Sequence, residues 1–256
     1  MTDRIQPALA PYGCCAVVFD MDGVLIDSHP AHLAAWREFL NSLKLEFSDA
    51  DLNFILEGRT RSEILRHFLG DLSEVELAEY GRRKDEIFRG IEAAIQPFAG
   101  VLPFLRQLEY FDVGKAVATS ASEIRTASTI ERLGLGGYFD AVVTSADVVA
   151  GKPHPQVYQL ACERMNVLPA NALAFDDAPS GVQSARSAGL RCIGVSNNGI
   201  RQALLDAGAE RVIPSFVGVA IESLVGSVAA RDCRPTKEND EISAGNKFPP
   251  SNIQST

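Results

Sequence analysis

The sequence predicts an α/β protein: a parallel-sheet core with helices on both faces, and a small all-helical domain inserted after strand one. Three observations predict it. A short apolar run, Val17-Val18-Phe19, ends in Asp20-Met21-Asp22-Gly23. The chain then shows helical periodicity and no convincing strand between residues 30 and 110. Beyond residue 100 helices and strands alternate regularly, which implies parallel strands covered on both faces.

The first strand places Asp20 and Asp22 on one face, because residues i and i+2 of a strand point the same way. Gly23 lets the backbone turn sharply beside them. Two carboxylates aimed at one point repel unless a cation or a shared proton lies between them. An ordinary strand-to-turn junction also favours Asp and Gly. A calcium loop begins D-x-D as well, but it needs Gly at position 6 and Glu at position 12. Counted from Asp20, the glycine comes too early and the twelfth residue is Ala31, so that loop is set aside.

The insert opens with a helix over Ser28 to Leu43, where Leu33, Trp36, Phe39, Leu40 and Leu43 fall at helical spacing. Thr60-x-x-Glu63 reads as a capping box starting a second helix, with Ile64, Leu65 and Phe68 on its apolar face. Ser73-x-x-Glu76 repeats the signal for a third. From Val101 to Glu109 a helix leads into a strand at Ala116 to Ala118. Helices 122–133, 155–165 and 179–188 then precede strands 141–144, 172–175 and 191–195, and a short strand follows at Arg211 to Ile213. No internal repeat is visible. From about Ala229 the chain is rich in Asn, Pro, Ser, Lys and Glu and poor in large apolar residues, so disorder is expected there.

Polar groups cluster where these strands end. Lys115-Ala116-Val117-Ala118 runs into Thr119-Ser120, and Ala172-Leu173-Ala174-Phe175 runs into Asp176-Asp177. Gly151-Lys152-Pro153-His154-Pro155 puts a lysine in a stretch too proline-rich for regular structure. In open α/β sheets ligands bind outside the carboxyl ends of the strands. Carboxylates, a hydroxyl and a lysine gathered there suit a phosphate held by a divalent cation.

The set Asp20-x-Asp22-Gly23, Thr119, Lys152 and Asp176-Asp177, in this order and spacing, resembles the four motifs of the haloacid dehalogenase-like hydrolases. The resemblance runs from about residue 15 to about 225. The stretches Lys152-Pro153-His154-Pro155-Gln156-Val157-Tyr158 and Gly137-Tyr138-Phe139-Asp140 are similar to the subgroup of sugar-phosphate phosphatases and β-phosphoglucomutase. That resemblance implies a Rossmann-like catalytic core over residues 1–28 and 100–228, a helical cap over 29–99, and a tail over 229–256 outside the family pattern.

It also implies roles. Asp20 becomes the nucleophile that forms an aspartyl phosphate. Asp22 becomes the general acid and base. Thr119 bonds a phosphoryl oxygen, with Ser120 as the alternative and the better candidate for a helix N-cap. Lys152 neutralises charge on the phosphoryl oxygens. Asp176 and Asp177 complete a Mg²⁺ site with Asp20 and the backbone carbonyl of Asp22, an oxygen-only set that suits this ion. Two departures stand out. Asp176-Asp177-Ala178 replaces the commoner Glu-Asp-Ser, so the first carboxylate is shorter and would act through water. Gln156 stands where an Asp is commoner.

In the insert, His32 and Trp36 lie i, i+4 on one helical face. His32 has the spacing from Asp20 of the histidine near the acid–base in the β-phosphoglucomutase cap. Arg61, in Gly58-Arg59-Thr60-Arg61, resembles that family's cap arginine for a second phosphate. The bland alternatives are a helix-start histidine and a solvated first-turn arginine. The mutase carries a lysine shortly after its second motif, whereas Ser120-Ala121-Ser122-Glu123 offers none, and Glu123 would repel a second phosphate. The expectation is a phosphatase for a small phosphorylated metabolite, with a phosphomutase as the alternative. A catalytically silent binding protein is disfavoured by the complete motif set. Dehalogenase chemistry is disfavoured by Asp22 and the Asp176-Asp177 pair.

Composition agrees. The 256 residues suffice for a sizeable core and a second small domain, and 46% are hydrophobic. The net charge of −9 disfavours nucleic acid as a partner. No apolar stretch is long enough to span a membrane, and Met1 to Pro7 lacks the build of a signal peptide. Cys14, Cys15, Cys162, Cys192 and Cys233 form no C-x-x-C pair, and most lie in apolar contexts that suit buried thiols. A cytoplasmic protein, monomeric or weakly dimeric, is the expectation.

Overall fold

Strand β1 (Ala16–Phe19) is buried along its whole length, and the sheet is arranged about it. The computed structural model describes residues 14–56, 61–197 and 199–225. On one side β1 pairs in parallel with β2 (Gly114–Ala118), and on the other with β4 (Ala172–Asp176). Strand β3 (Ala141–Val143) extends the β2 side, while β5 (Arg191–Val195) and β6 (Arg211–Ile213) extend the other. The six strands thus run in the order β3-β2-β1-β4-β5-β6. The chain moves outward from β1 to β3 and then returns to β4. The crevice beyond the carboxyl ends of β1 and β4 is therefore the topological switch point of the sheet, where such folds bind ligands.

Alternation along β1 divides the core. Phe19 faces one side, where it stacks on Phe175 at 5.5 Å and meets Phe104 edge-on at 6.2 Å. On the other side Ala16, Val18, Ala116, Ala118 and Ala174 present small side chains. That flat surface lets the helix carrying Tyr158, Ala161 and Cys162 lie against the sheet.

Among the described residues between 29 and 91 the chain forms four α-helices: α1 (His29–Ser42), α2 (Asp49–Asn53), α3 (Arg61–Leu69) and α4 (Glu74–Ile91). They carry a core of their own, with Trp36, Phe39, Leu40, Leu65 and Leu77 among its residues. The capping box read at Ser73 and Glu76 is formed: the Ser73 hydroxyl accepts from the Glu76 N–H, and the Glu76 carboxylate accepts from the Ser73 N–H at 2.9 Å. Thr60, proposed to cap α3, lies outside the described residues. The two segments joining insert to core are tied together, since Asp27 N–H donates to Gln96 C=O and Phe98 N–H to Leu25 C=O, each at 2.9 Å.

The remaining helices are α5 (Val101–Tyr110), α6 (Glu123–Arg132), α7 (Gln156–Met165), α8 (Pro179–Ser187), α9 (Arg201–Asp206) and α10 (Ile221–Val225). The predicted strands and long helices end within two residues of their observed ends. Helices α2, α9 and α10 were not anticipated, being too short to show periodicity. One capping assignment changes: Ser122, not Ser120, caps α6, its hydroxyl accepting from the Arg125 N–H at 3.4 Å. The predicted tail, 229–256, lies outside the described residues. Cys14, Cys162 and Cys192 are buried free thiols. Cys15, also buried, is disulfide-bonded. Among the described residues no helix is long and apolar enough to cross a membrane.

Candidate active site

The site is built from three strand ends and the loops beside them. Asp20 follows β1 directly, and its N–H donates to Phe175 C=O at 2.9 Å, which locks the end of β1 to β4. Asp176 is the last residue of β4, so the two carboxylates meet across adjacent strands. Lys152, in the loop before α7, bridges them: Nζ lies 2.6 Å from Asp20 Oδ1 and 2.8 Å from Asp176 Oδ2. Tyr158 donates its hydroxyl to the same Asp176 oxygen at 2.6 Å, and the Ala178 N–H donates to Oδ1 at 3.0 Å. Asp176 thus faces inward, toward the lysine and the tyrosine. A Cβ on Gly181 would collide with its carboxylate, so only glycine fits there.

Burial shapes the protonation of this group. It raises the Asp20 pKa well above the usual carboxylate range; Lys152 opposes the rise, while Asp176, Asp177 and Asp22 add to it. For Lys152 burial works against the charge, but Asp176 and Asp20 outweigh it and hold the ammonium form. This is a buried, paired arrangement that would be costly to break at any one member.

Asp177 points elsewhere. Its Oδ2 lies 2.9 Å from His29 Nε2, and both groups occupy the space a Cβ on Gly23 would need. Gly23 has φ +74°, so both backbone and space demand glycine. Burial raises the Asp177 pKa against the pull of His29, and the bond to Asp177 raises that of His29 against burial.

Asp22 faces the insert. Arg125, in the first turn of α6, grips its carboxylate with both terminal nitrogens, NH1 at 2.8 Å from Oδ2 and NH2 on Oδ1. The Ser28 hydroxyl donates to Oδ1 at 2.6 Å, and His32 Nε2 stands 3.5 Å from the same oxygen. Burial opposes the Asp22 charge, but Arg125 and His32 outweigh it and hold the pKa well below the usual range. His32 stacks on Phe88 at 4.4 Å and meets Lys84 Nζ at 3.3 Å through Nδ1. Burial lowers the pKa of both, that of Lys84 to about 8.

Several predicted residues are therefore brought together: Asp20, Asp22, Lys152, Asp176, Asp177 and His32. Others are not. Trp36 is 2% exposed and packs edge-on against Phe39 inside the insert's own core. Arg61 lies over Gly81 and pairs with Asp85 at 2.6 Å, both side chains half exposed. Thr119 is buried, its hydroxyl accepting from the Ala121 N–H at 3.1 Å, while Ser120 is exposed at the end of β2. Gln156 accepts from the N–H groups of Val149 and Ala150, bracing the loop that carries Lys152. Sequence reasoning missed His29, Lys84, Arg125 and Tyr158. Arg125 lay two residues beyond Glu123, where only a lysine was sought; Tyr158 closed the Lys152-to-Tyr158 stretch but was given no role, and His29 and Lys84 sit on helix faces that carry no motif.

A hard divalent cation fits the donors present. Asp20, buried, and Asp177, partly buried, have their protonation driven up by burial, with Asp176 adding to both, so the place favours positive charge. The Asp22 side chain is turned to Arg125, which leaves its backbone carbonyl as the donor it can offer. Among the described residues no three His, Cys, Asp or Glu side chains stand together as a metal cluster.

The sequence of residues 17–195 matches the family model of the haloacid dehalogenase-like hydrolases. The chain belongs to this family. Among haloacid dehalogenase-like hydrolases it is 34% identical, over 77% of this chain and 93% of the relative, to a phosphorylated carbohydrates phosphatase of Thermotoga maritima. It is 28% identical to a β-phosphoglucomutase of Bacillus subtilis, over 82% of this chain and 93% of that one. The crystal structure of a CbbY variant from Rhodobacter sphaeroides, in complex with xylulose-(1,5)bisphosphate, superposes with a TM-score of 0.70 at 26% identity, covering 81% and 96% of the two chains. The parallel sheet with a helical insert after β1 is thus the fold of a haloacid dehalogenase-like hydrolase, and the chain is an enzyme of that class.

Proposed function

We propose that this hydrolase is a Mg²⁺-dependent phosphatase that cleaves a small sugar phosphate, or a similar phosphomonoester, through an aspartyl-phosphate intermediate. The observation that carries the reading is Asp20, a buried carboxylate at the switch point with Lys152 Nζ 2.6 Å away and the carboxylates of Asp176 and Asp177 beside it. Asp20 attacks phosphorus, the ester P–O bond breaks as the Asp20 O–P bond forms, and the departing alkoxide takes a proton from Asp22. In the second step Asp22 takes a proton from the attacking water, phosphate leaves, and the Asp20 carboxylate is restored. Lys152 neutralises charge on the phosphoryl oxygens throughout.

Asp20, Asp177 and the Asp22 carbonyl would hold the cation, which when bound supplies charge neutralisation at the phosphoryl oxygens. Asp176 supports them from behind, through Lys152 and Tyr158. Of the two hydroxyls after β2 we assign the phosphoryl contact to the exposed Ser120, with Thr119 shaping the turn that presents it. The named activity of the Thermotoga relative supports phosphorylated carbohydrates as the substrate class.

A screen of sugar and polyol phosphates with Mg²⁺, read as released phosphate, tests this; no release from any of them would count against it. His32 beside Asp22 and the β-phosphoglucomutase relative favour a mutase as the second reading. Incubation with β-glucose 1-phosphate and catalytic glucose 1,6-bisphosphate, followed by phosphorus NMR, separates the two. Inorganic phosphate marks hydrolysis, and glucose 6-phosphate without free phosphate marks the mutase.

A further inference from the structure

Arg125 is a partly buried cation at the site to which the proposed mechanism gives no task. It belongs to the core, on α6, yet it reaches the insert: its guanidinium lies over the Phe88 ring at 4.9 Å, and NH2 stands 3.3 Å from His32 Nε2. It spends both terminal nitrogens on Asp22. Its Nε is buried and has no acceptor among the described residues. An orphaned donor on a buried guanidinium is costly unless an acceptor arrives.

The clamp also conflicts with the reaction. To serve as acid, Asp22 must turn an O–H toward the departing alkoxide. With Arg125 on both oxygens and Ser28 donating to Oδ1, the carboxylate is held as the anion, and protonating it means loosening that grip. Turnover therefore requires the guanidinium to move off, and something must receive its donors when it does.

We propose that Arg125 is a positioning residue that withholds Asp22 until the alcohol part of the substrate offers oxygens of its own, and that it thereby sets a preference for polyhydroxylated over plain alkyl phosphates. The proposal rests on the phosphatase reading. An ester rich in hydroxyls can satisfy Nε and the terminal nitrogens together, which releases Asp22 to protonate the leaving oxygen. A plain alkyl phosphate offers no acceptors, so Asp22 stays clamped and the alkoxide leaves unprotonated.

The test compares the wild-type enzyme with Arg125→Met and Arg125→Lys on a sugar phosphate, on propyl phosphate, and on p-nitrophenyl phosphate, whose leaving group needs no acid. For each variant, kcat/KM is expressed relative to that variant's own rate on p-nitrophenyl phosphate. In Arg125→Met the ratio of sugar phosphate to propyl phosphate should fall by about tenfold or more, the scale of one or two charge-assisted hydrogen bonds. KM for the sugar phosphate should rise while relative kcat/KM for propyl phosphate goes up. Arg125→Lys, which keeps the charge but cannot clamp bidentately, should fall between, and it carries the test if the Met variant does not fold. A proportional loss on all three substrates would reduce Arg125 to a structural residue and overturn the proposal, as would a rising ratio. Failure of the wild type to hydrolyse any of the three would instead sink the phosphatase reading, and this proposal with it.

Discussion

Asp20 and Asp22 stand two residues apart at the end of one strand, yet they belong to different regions. Asp20 is held entirely by the core: Lys152 from the loop before α7, Asp176 from β4, and the backbone of Phe175. Asp22 looks across the crevice, to Arg125 on α6, His32 on α1 and, behind His32, Lys84 on α4. The first region rests on paired strands whose register sets Asp20 and Asp176 side by side, with Lys152 brought in by the loop before α7. The second spans two packed bodies joined by two chain crossings. On the proposed mechanism, the difference places bond-making chemistry on the sheet and control of the proton where the insert meets it.

The largest expected effect falls on the Asp20 region. Removing the cation with a chelator should lower turnover roughly a thousandfold, the equivalent of several kcal/mol of charge stabilisation, and adding Mg²⁺ should restore it. A phosphate-release assay in excess chelator checks this, and full activity there would show that the buried carboxylates need no cation.

Lys152→Met comes next. It leaves Asp20 and Asp176 buried without their shared cation, and removing one partner of such a group costs about 3–5 kcal/mol. Urea unfolding should show a loss of that size together with lost activity. A small stability change would mean that the two acids are relieved by protonation or water.

In the Asp22 region the sign is the opposite. Burial depresses the Lys84 pKa to about 8 from 10.5, so a proton is bound less tightly in the folded state. Below pH 8 both states carry the charge, and the folded one bears the cost of burying it. Between pH 8 and 10.5 only the unfolded state keeps the proton, so the Lys84 contribution to stability improves as pH rises. Lys84→Met should therefore be more stable than wild type at pH 7, by up to roughly 3 kcal/mol, and the gap should close toward pH 10.5. Paired urea titrations across that range check it; a gap independent of pH would remove Lys84 as the cause.

The smallest effect is expected at Arg61. Its pair with Asp85 is half exposed on both sides, and such pairs contribute roughly 0–1 kcal/mol. Arg61→Ala should leave stability within that range. A large rise in KM with stability unchanged would instead bring Arg61 into the cleft on closure.

The same contrast explains what the sequence disclosed. The core half was legible because strands announce themselves as apolar runs, and a polar residue ending such a run can only sit at the sheet edge. Asp20, Asp22, Asp176 and Asp177 were found that way, and Lys152 by its proline-rich Gly151-Lys152-Pro153 context. The insert was legible as helices but not as a site. Trp36 and His32 share a helix face by spacing, yet Trp36 turns into the insert's core and His32 toward Asp22, a split that depends on how α1 packs against α4. Lys84 and Arg125 meet His32 from 52 and 93 residues away along the chain, a distance no local pattern spans. From sequence Thr119 was preferred to Ser120 because it closes the apolar run; the structure buries Thr119 and exposes Ser120, a difference that no local pattern carries.

The central claim is that Asp20, not Asp22, takes the phosphoryl group. Asp22→Asn should slow the second step, since it removes the base that activates water, and so let the phosphoenzyme accumulate. A donor with a good leaving group, such as p-nitrophenyl phosphate, needs no acid for the first step. Quenching that reaction, reducing with borohydride and mapping the peptides should place the reduced residue at position 20, and Asp20→Asn should abolish it. A reduced residue elsewhere, or steady turnover with no trapped phosphoenzyme, would contradict the account.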